Sequence, residues 1–260
     1  MHGPCRRPGV EALKIAYIYD GIYPYVIGGL AKRIHDISKK MAKRGHEVHL
    51  YGMKFWNGPA VLMRDGVTIH GVCPVMKRYI GSRRSVRAAL AFAYNVFKAL
   101  MNEGKSFDII DSALAPLSHQ LAVKLRTELR DEGLVITCAE VWAGYWYEYM
   151  GIMGGLMGLP MEKLSVRLAD MIIAISEKVA HDLTSLGTKA SKIRIVEDGI
   201  DFHSIQRVKP AEEEADLIFV GRLVSHKRVS DLLKAVGILR GDMPDIRCII
   251  IGDGPEMGKL

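Results

Sequence analysis

Apolar residues along this chain follow two rhythms, short unbroken runs and stripes at helical spacing. Residues 13–19 form an apolar run, broken only by Lys14, of the kind a buried central strand carries. A loop, Asp20 to Gly29, follows, and then Leu30, Ile34, Ile37 and Met41 recur at three- and four-residue intervals. Lys32, Arg33, Lys39, Lys40 and Lys43 lie off that stripe, so an amphipathic helix is predicted, with Gly45 as its stop. Residues 47–51 and 67–72 read as strands. Val86, Leu90, Ala93, Phe97 and Leu100 stripe a second helix, 108–111 a short strand, and Leu117, Leu121, Leu125 and Leu129 a third helix. Residues 134–138 and 171–175 are further buried strands, separated by a stretch rich in glycine and aromatic residues. Ser176 is placed to cap a helix carrying Val179, Leu183 and Leu186, which Gly187 ends, and 193–196 closes the region as a strand.

The character changes between 198 and 216, where Lys209-Pro210 and the run Glu212-Glu213-Glu214 leave few apolar positions. This segment is expected to link two domains. Beyond it come a strand (217–220), a helical stripe of Val229, Leu232, Leu233 and Val236, and another strand (246–251). Strand and helix alternate throughout, which predicts an α/β fold with parallel sheets. Residues 13–205 are expected to form one Rossmann-like domain, with residues 1–12 as a disordered leader. Residues 206–260 hold about one βαβ unit of a second, incomplete Rossmann-like domain, since a compact domain usually takes about 100 to 150 residues.

Composition narrows the class. The chain is 49% hydrophobic and 25% charged, which is globular. No apolar run reaches the roughly 18 residues of a membrane span, and no apolar stretch follows the basic N-terminus as a secretory signal requires. Cys5, Cys73, Cys138 and Cys248 show no ligand spacing, so reduced thiols, no metal site and a cytoplasmic location are expected. The formal charge of +7 points to an anionic partner: nucleotide phosphate, nucleic acid or a membrane surface.

Five constellations could carry chemistry. Gly28-Gly29, between the first strand and its helix, lets backbone amides approach an anion, or serves only as a tight turn. Gly221-Arg222-Leu223 with Lys227 offers a guanidinium fork and a point charge for a diphosphate, or a solvated basic turn. Gly252-Asp253-Gly254-Pro255-Glu256 lies at a strand's carboxyl end, where open sheets bind ligands. Its spacing is not that of a Walker loop. Glu140, just after the strand ending at Cys138, could bind sugar hydroxyls or move a proton, or be a surface glutamate. The basic run from Lys77 to Lys98, which includes Arg83, Arg84 and Arg87, could meet anionic lipid, or form the wet face of a core helix.

In order, these pieces resemble glycosyltransferase family 4 of the GT-B fold. The resemblance rests on Ile27-Gly-Gly-Leu30, Gly45-His-Glu-Val48 and Asp170-Met-Ile-Ile-Ala-Ile-Ser-Glu177. It continues through Val196-Glu-Asp-Gly-Ile-Asp201, Phe219-Val-Gly-Arg-Leu223 with Lys227, and Ile251-Gly-Asp-Gly-Pro-Glu256. It implies retaining transfer of a sugar from a nucleotide-diphosphate donor, usually without a metal, to a glycan or lipid acceptor. The donor is then a substrate and no separate cofactor is implied. Gly28 and Gly29 would line the donor phosphates, and Arg222 and Lys227 would neutralise the leaving diphosphate. Ser176, Glu177, Asp198 and Gly199 would border the cleft, with Gly221, Gly254 and Glu140 also on the substrate side.

Three departures stand out. Ala139-Glu140 occupies the place of a common histidine, and Asp198 stands where asparagine is usual. The Glu-x7-Glu signature expected after Glu256 is missing. Glu140 and Glu148 share that spacing but lie in the first domain. The resemblance thus implies an incomplete hexosyltransferase-like enzyme without a nucleic-acid partner, expected in the cytoplasm and peripheral on the inner face of the membrane. A non-catalytic anion- or membrane-binding remnant and a GT-B epimerase or phosphorylase are the alternatives.

Overall fold

The computed structural model describes residues 11–80 and 83–260. Most of the expected leader, including Cys5, lies outside them. The chain divides into two compact units, one running through Arg78 and resuming over Ser85–Gly199, the other made of Tyr79–Arg84 and Ile200–Leu260. The sequence placed the division at 205/206, and nothing in it signalled the transfer of residues 79–84 to the second unit.

The elements run in chain order β1 (Lys14–Ile18), α1 (Gly29–Lys43), β2 (Glu47–Lys54), β3 (Val61–Arg64), β4 (Val67–Pro74), β5 (Tyr79–Ile80), β6 (Arg83–Arg84) and α2 (Val86–Asn102). Then come β7 (Ile109–Ala113), α3 (Gln120–Arg130), β8 (Gly133–Cys138), α4 (Tyr145–Leu168), β9 (Met171–Ala174), α5 (Glu177–Ser185) and β10 (Ile193–Ile195). The chain continues with α6 (Phe202–Gln206), β11 (Leu217–Val220), α7 (Val229–Leu239) and β12 (Cys248–Ile251).

In the first unit an eight-stranded sheet has the order β10-β9-β8-β7-β1-β2-β4-β3. Every neighbouring pair is parallel except β3 with β4. The apolar run of β1 sits in the middle because both its faces are covered, and Ile15 to Ile18 are all buried. One face packs Ile34 of α1, with Leu30, Ile37 and Met41, on Ile15, Tyr17, Val48 and Leu50. The other carries Phe92, Val96 and Leu100 of α2, Val123 of α3, Val166 of α4, and Val179 and Leu183 of α5. Cys73 and Cys138 are buried there as reduced thiols, pushed up to about 11 and about 12 by loss of water.

Strand β3 was not foreseen. It forms a hairpin with β4 through Asp65 and Gly66, both at positive φ. That is the primed turn an Asp-Gly pair favours, so the signal was present in the sequence.

Helix α2 buries Ala93 and Leu100 of its predicted stripe but not its first turns, and α3 turns its later leucines outward. Val86 and Leu90 of α2 are exposed, as are Leu121, Leu125 and Leu129 of α3. Helix α3 instead turns Gln120, Val123, Arg126 and Thr127 inward. Arg126 is fully buried because every group around it accepts. Its guanidinium donates to both carboxylate oxygens of Glu132 and to the carbonyls of Leu100, Glu103 and Lys105. Glu132 also accepts from the Phe107 amide at 2.9 Å. The pair clamps the end of α3 to the loop ahead of β7, a constraint hydrophobic periodicity cannot see.

At the amino ends of β1 and β2 a polar cluster closes the sheet. His49 Nδ1 lies 2.8 Å from His70 Nε2, and its Nε2 lies 2.9 Å from Glu47. The rings of Tyr51 and His70 stack at 4.3 Å, and Glu103 accepts from Lys14 and Tyr51. Loss of water, reinforced by the neighbouring His49, pushes His70 down to about 4.

In the second unit β11 and β12 pair in parallel, Leu217 with Cys248 through Val220 with Ile251, and α7 lies between them in sequence. Leu223, Val224 and Val229 are buried, whereas Ile218, Val220, Ile238 and Ile251 are exposed. Among the described residues, no helix is long and apolar enough to cross a membrane.

Candidate functional site

In a parallel sheet the loops leaving the carboxyl ends of the strands converge on one edge, and ligands bind where strand order reverses. Here that point lies between β1 and β7. The loop after β1 leads to Gly28 and Gly29 at the start of α1. A Cβ added to either would meet nothing within 4 Å, so packing does not require glycine there. What the two glycines leave is open access to the first-turn amides of α1, which have no side-chain cap.

The same helix reaches the turn after β10. Arg33, nearly buried, donates to the Val196 carbonyl at 3.0 Å and the Glu197 carbonyl at 3.1 Å, and forms an ion pair with Asp198. The structure therefore brings together Gly28, Gly29, Asp198 and Gly199 through a residue that sequence reading took for a surface cation. It also accounts for an acid at 198, which supplies the counter-charge for Arg33. The sequence offers one signal: Arg33 lies one position from Ile34 of the buried stripe.

Ser176 sits between β9 and α5, where its hydroxyl accepts from the Val179 amide at 3.3 Å as the N-cap. Glu177, in the first turn, is exposed and lies on the favourable side of the helix dipole. Glu140 is exposed in the loop after β8.

That loop is shaped by a glutamate the sequence reading passed over. Glu162 of α4 is buried and accepts from the amides of Trp142 and Ala143, both at 2.8 Å, and from the Trp146 indole at 3.1 Å. Three donors on one carboxylate satisfy its buried charge and fix the backbone just beyond Glu140. The rings of Trp142, Tyr145, Trp146 and Tyr149 gather around this anchor.

The second unit contributes two strand-end turns tied to each other. The Gly221 amide donates to the Ile251 carbonyl at 2.9 Å, Leu223 to Asp253 at 2.9 Å, and Glu256 to Leu223 at 3.1 Å. A Cβ on Gly252 would collide with the Gly221 carbonyl, and one on Gly254 with the Leu223 carbonyl. Glycine is thus required at both by close backbone approach. The paired turns present Arg222 and, six residues after Gly221, Lys227, both exposed. The Arg222 guanidinium lies 4.7 Å from the Tyr79 ring centroid, within the same unit. Of the basic run named from sequence, Arg83 and Arg84 belong to β6 of this unit, whereas Arg87 is exposed on α2 of the first. Among the described residues no three His, Cys, Asp or Glu side chains converge as a metal site.

Comparison with known proteins agrees with this geometry. The profile of Glycosyltransferase Family 4 matches residues 27–204, and that of Glycosyl transferases group 1 matches 201–260. A glycogen synthase of Mycobacterium tuberculosis is 24% identical over 256 residues, covering 91% of this chain and 61% of the relative. An uncharacterised glycosyltransferase of Bacillus subtilis, YqgM, is 25% identical over 170 residues, 63% of this chain and 45% of its own length. The chain thus spans less than two thirds of the length of these relatives. Among solved structures, Anabaena HepE in complex with UDP and glucose superposes with a TM-score of 0.61 at 15% identity, covering 93% of this chain and 61% of that one. Sucrose-phosphate synthase of Thermosynechococcus elongatus gives 0.61 at 15% identity, with 93% and 70% covered. The fold is that of the GT-B glycosyltransferases. With one family profile spanning most of the first unit and a second continuing through the strand-end turns, the chain belongs to glycosyltransferase family 4.

Proposed function

We propose that this chain supplies the acceptor-side domain and the donor-phosphate turns of a retaining glycosyltransferase. The donor is a nucleotide-diphosphate sugar and the acceptor a glycan or lipid met in the cytoplasm. The supporting observation is the locked pair of turns in the second unit. Backbone hydrogen bonds fix Gly221 and Leu223 against Ile251 and Asp253, which holds Arg222 at the carboxyl end of β11 with Lys227 on the turn that follows.

Transfer from such a donor leaves a diphosphate, and the charge growing on it is the main load on the site. Arg222 and Lys227 are the cations assigned to it, in place of a metal. Gly28 and Gly29 of the first unit offer uncapped amides to an anionic group. Ser176, Glu177, Asp198 and Gly199 border the substrate, and Glu140 faces its hydroxyls on a loop held by Glu162. That HepE was solved with UDP and glucose fits a uridine donor for this chain as well.

The test is to incubate the chain with individual nucleotide sugars and mixed glycan and lipid acceptors, with and without a chelator. Slow, chelator-insensitive release of nucleoside diphosphate with retained anomeric configuration is expected. An inverted product, a free epimerised sugar or a strict metal requirement would each refute the proposal.

A further inference from the structure

Helix α2 carries two lines of different character. Phe92, Val96 and Leu100 are buried against the sheet. Beside them Asn95, Lys98, Ala99 and Asn102 share another face, at the three- and four-residue spacing that stacks side chains on a helix. That face does not simply meet solvent. It walls one side of a cavity of about 280 Å³, and Val61, His70 and Val72 of the β3–β4 hairpin line the other. Strand β4 ends at Pro74 and α2 begins at Val86, so the helix runs back along the sheet. Glu103, just past its end, accepts from Lys14 at the start of β1. The cavity therefore lies toward the amino ends of the strands, away from the edge that carries Gly28, Gly29 and Glu140.

The fold does not consume the polar groups of the helical wall. Among the described residues Lys98 forms no ion pair and Asn102 no side-chain hydrogen bond. Asn95 donates its amide to the Ala91 carbonyl at 2.8 Å, which leaves its side-chain oxygen as an acceptor. On the facing wall His70 is held on two sides. Its ring stacks on Tyr51, and its Nε2 meets His49 Nδ1, which is held in turn through its own Nε2 by Glu47. One nitrogen is thereby fixed and Nδ1 is left for a ligand. Loss of water holds His70 down to about 4, so it offers a hydrogen bond and not a charge. Lys98 is then the one charged side chain among those lining the cavity, and no acid accompanies it. An ammonium, two amides and an imidazole above the apolar surface of Val72 and Ala99 suit one class of ligand. It has an anionic group for Lys98, hydroxyls for Asn95, Asn102 and His70, and a short carbon skeleton. The volume falls at the small end of the roughly 300–1,000 Å³ of small-molecule pockets, which fits a single ring or short chain and not a nucleotide sugar.

We propose that the cavity between α2 and the β3–β4 hairpin binds a small polyhydroxylated anion, a polyol phosphate or a sugar acid. The site includes neither Arg222 nor Lys227, so it holds whether or not the chain transfers sugar. The test is calorimetric titration of sorbitol 6-phosphate, gluconate, inorganic phosphate and sorbitol into the whole chain. Saturable binding of sorbitol 6-phosphate or gluconate is expected, about tenfold or more tighter than inorganic phosphate or sorbitol. Whichever of the two binds more tightly identifies the anionic group. Lys98→Gln is expected to weaken that binding about tenfold with an unchanged melting curve, since Lys98 is exposed. Asn102→Ala, also at an exposed position, is expected to weaken it several-fold. The imidazole resonances of His70, assigned by their loss in His70→Phe, are expected to shift on saturation. No saturable binding of either compound, equal affinity for inorganic phosphate, or full binding by Lys98→Gln would overturn the proposal. So would binding that Arg222→Ala abolishes, which would place the anion at the strand-end turns.

Discussion

The two units of this chain put their chemistry on very different foundations. In the first, eight strands are covered by helices on both faces, and even charged groups are buried with full complements of partners, as at Arg126–Glu132 and Glu162. In the second, a single parallel pair carries the cations, and Ile218, Val220 and Ile251 of that pair are exposed. A two-stranded sheet has little stability of its own. The turns that present Arg222 therefore rest on a few backbone hydrogen bonds and three buried side chains, Leu223, Val224 and Val229. On the proposed function, fold stability and phosphate binding are separable: damage to one unit should be read in melting, damage to the other in ligand binding.

The largest separation is expected from Glu132→Ala. It strands a fully buried guanidinium and should cost the first unit about 3–5 kcal/mol in denaturant unfolding. A loss under 1 kcal/mol would show that the buried pair is not what holds α3. Next is Glu162→Gln, which keeps one acceptor oxygen but withdraws the charge from three donors. A loss of about 1–3 kcal/mol is expected, together with increased hydrogen exchange at Trp142 and Ala143. Gly254→Ala should do the reverse, leaving the main melting transition within about 0.5 kcal/mol while nucleotide binding falls, because only the turn against Leu223 is pushed apart. A lowered main transition would mean that the units unfold together.

The smallest effect is on pH dependence. His70 titrates near 6.5 unfolded and is held down to about 4 when folded. The unfolded chain thus takes up a proton the native one refuses between those values. Its contribution is complete above about pH 6.5 and is lost as pH falls toward 4, on the order of 1–2 kcal/mol given its partial exposure. His70→Phe, which preserves the ring against Tyr51, should make the acid limb of the stability profile shallower.

Much of this was legible in the sequence because core strands and simple helices follow hydrophobic rhythm. The run at 13–19, the stripe of α1 and the Ser176 cap with its Gly187 stop all reappear as read. What escaped notice depended on polar groups buried by specific partners. Helix α3 points Arg126 inward because five acceptors wait there, and its leucines outward. Helix α4, with four glycines after Gly144 and Pro160 inside, carries apolar residues on more than one face, so the sequence did not show which face turns inward. The role of Arg33 rests on carbonyls 163 and 164 residues away, a distance local pattern does not span. The turn that carries Arg222 was readable as a turn because it is local: strand, glycine, arginine, helix.

The central claim, that Arg222 and Lys227 form the diphosphate-facing half of a glycosyltransferase site, is tested most directly by calorimetric titration of UDP, GDP and ADP into the chain and into Arg222→Ala and Lys227→Ala. The account predicts weak saturable binding of at least one nucleotide, reduced about tenfold or more by either substitution, equivalent to about 1.4 kcal/mol each, with melting unchanged. Binding that survives both substitutions intact would contradict it.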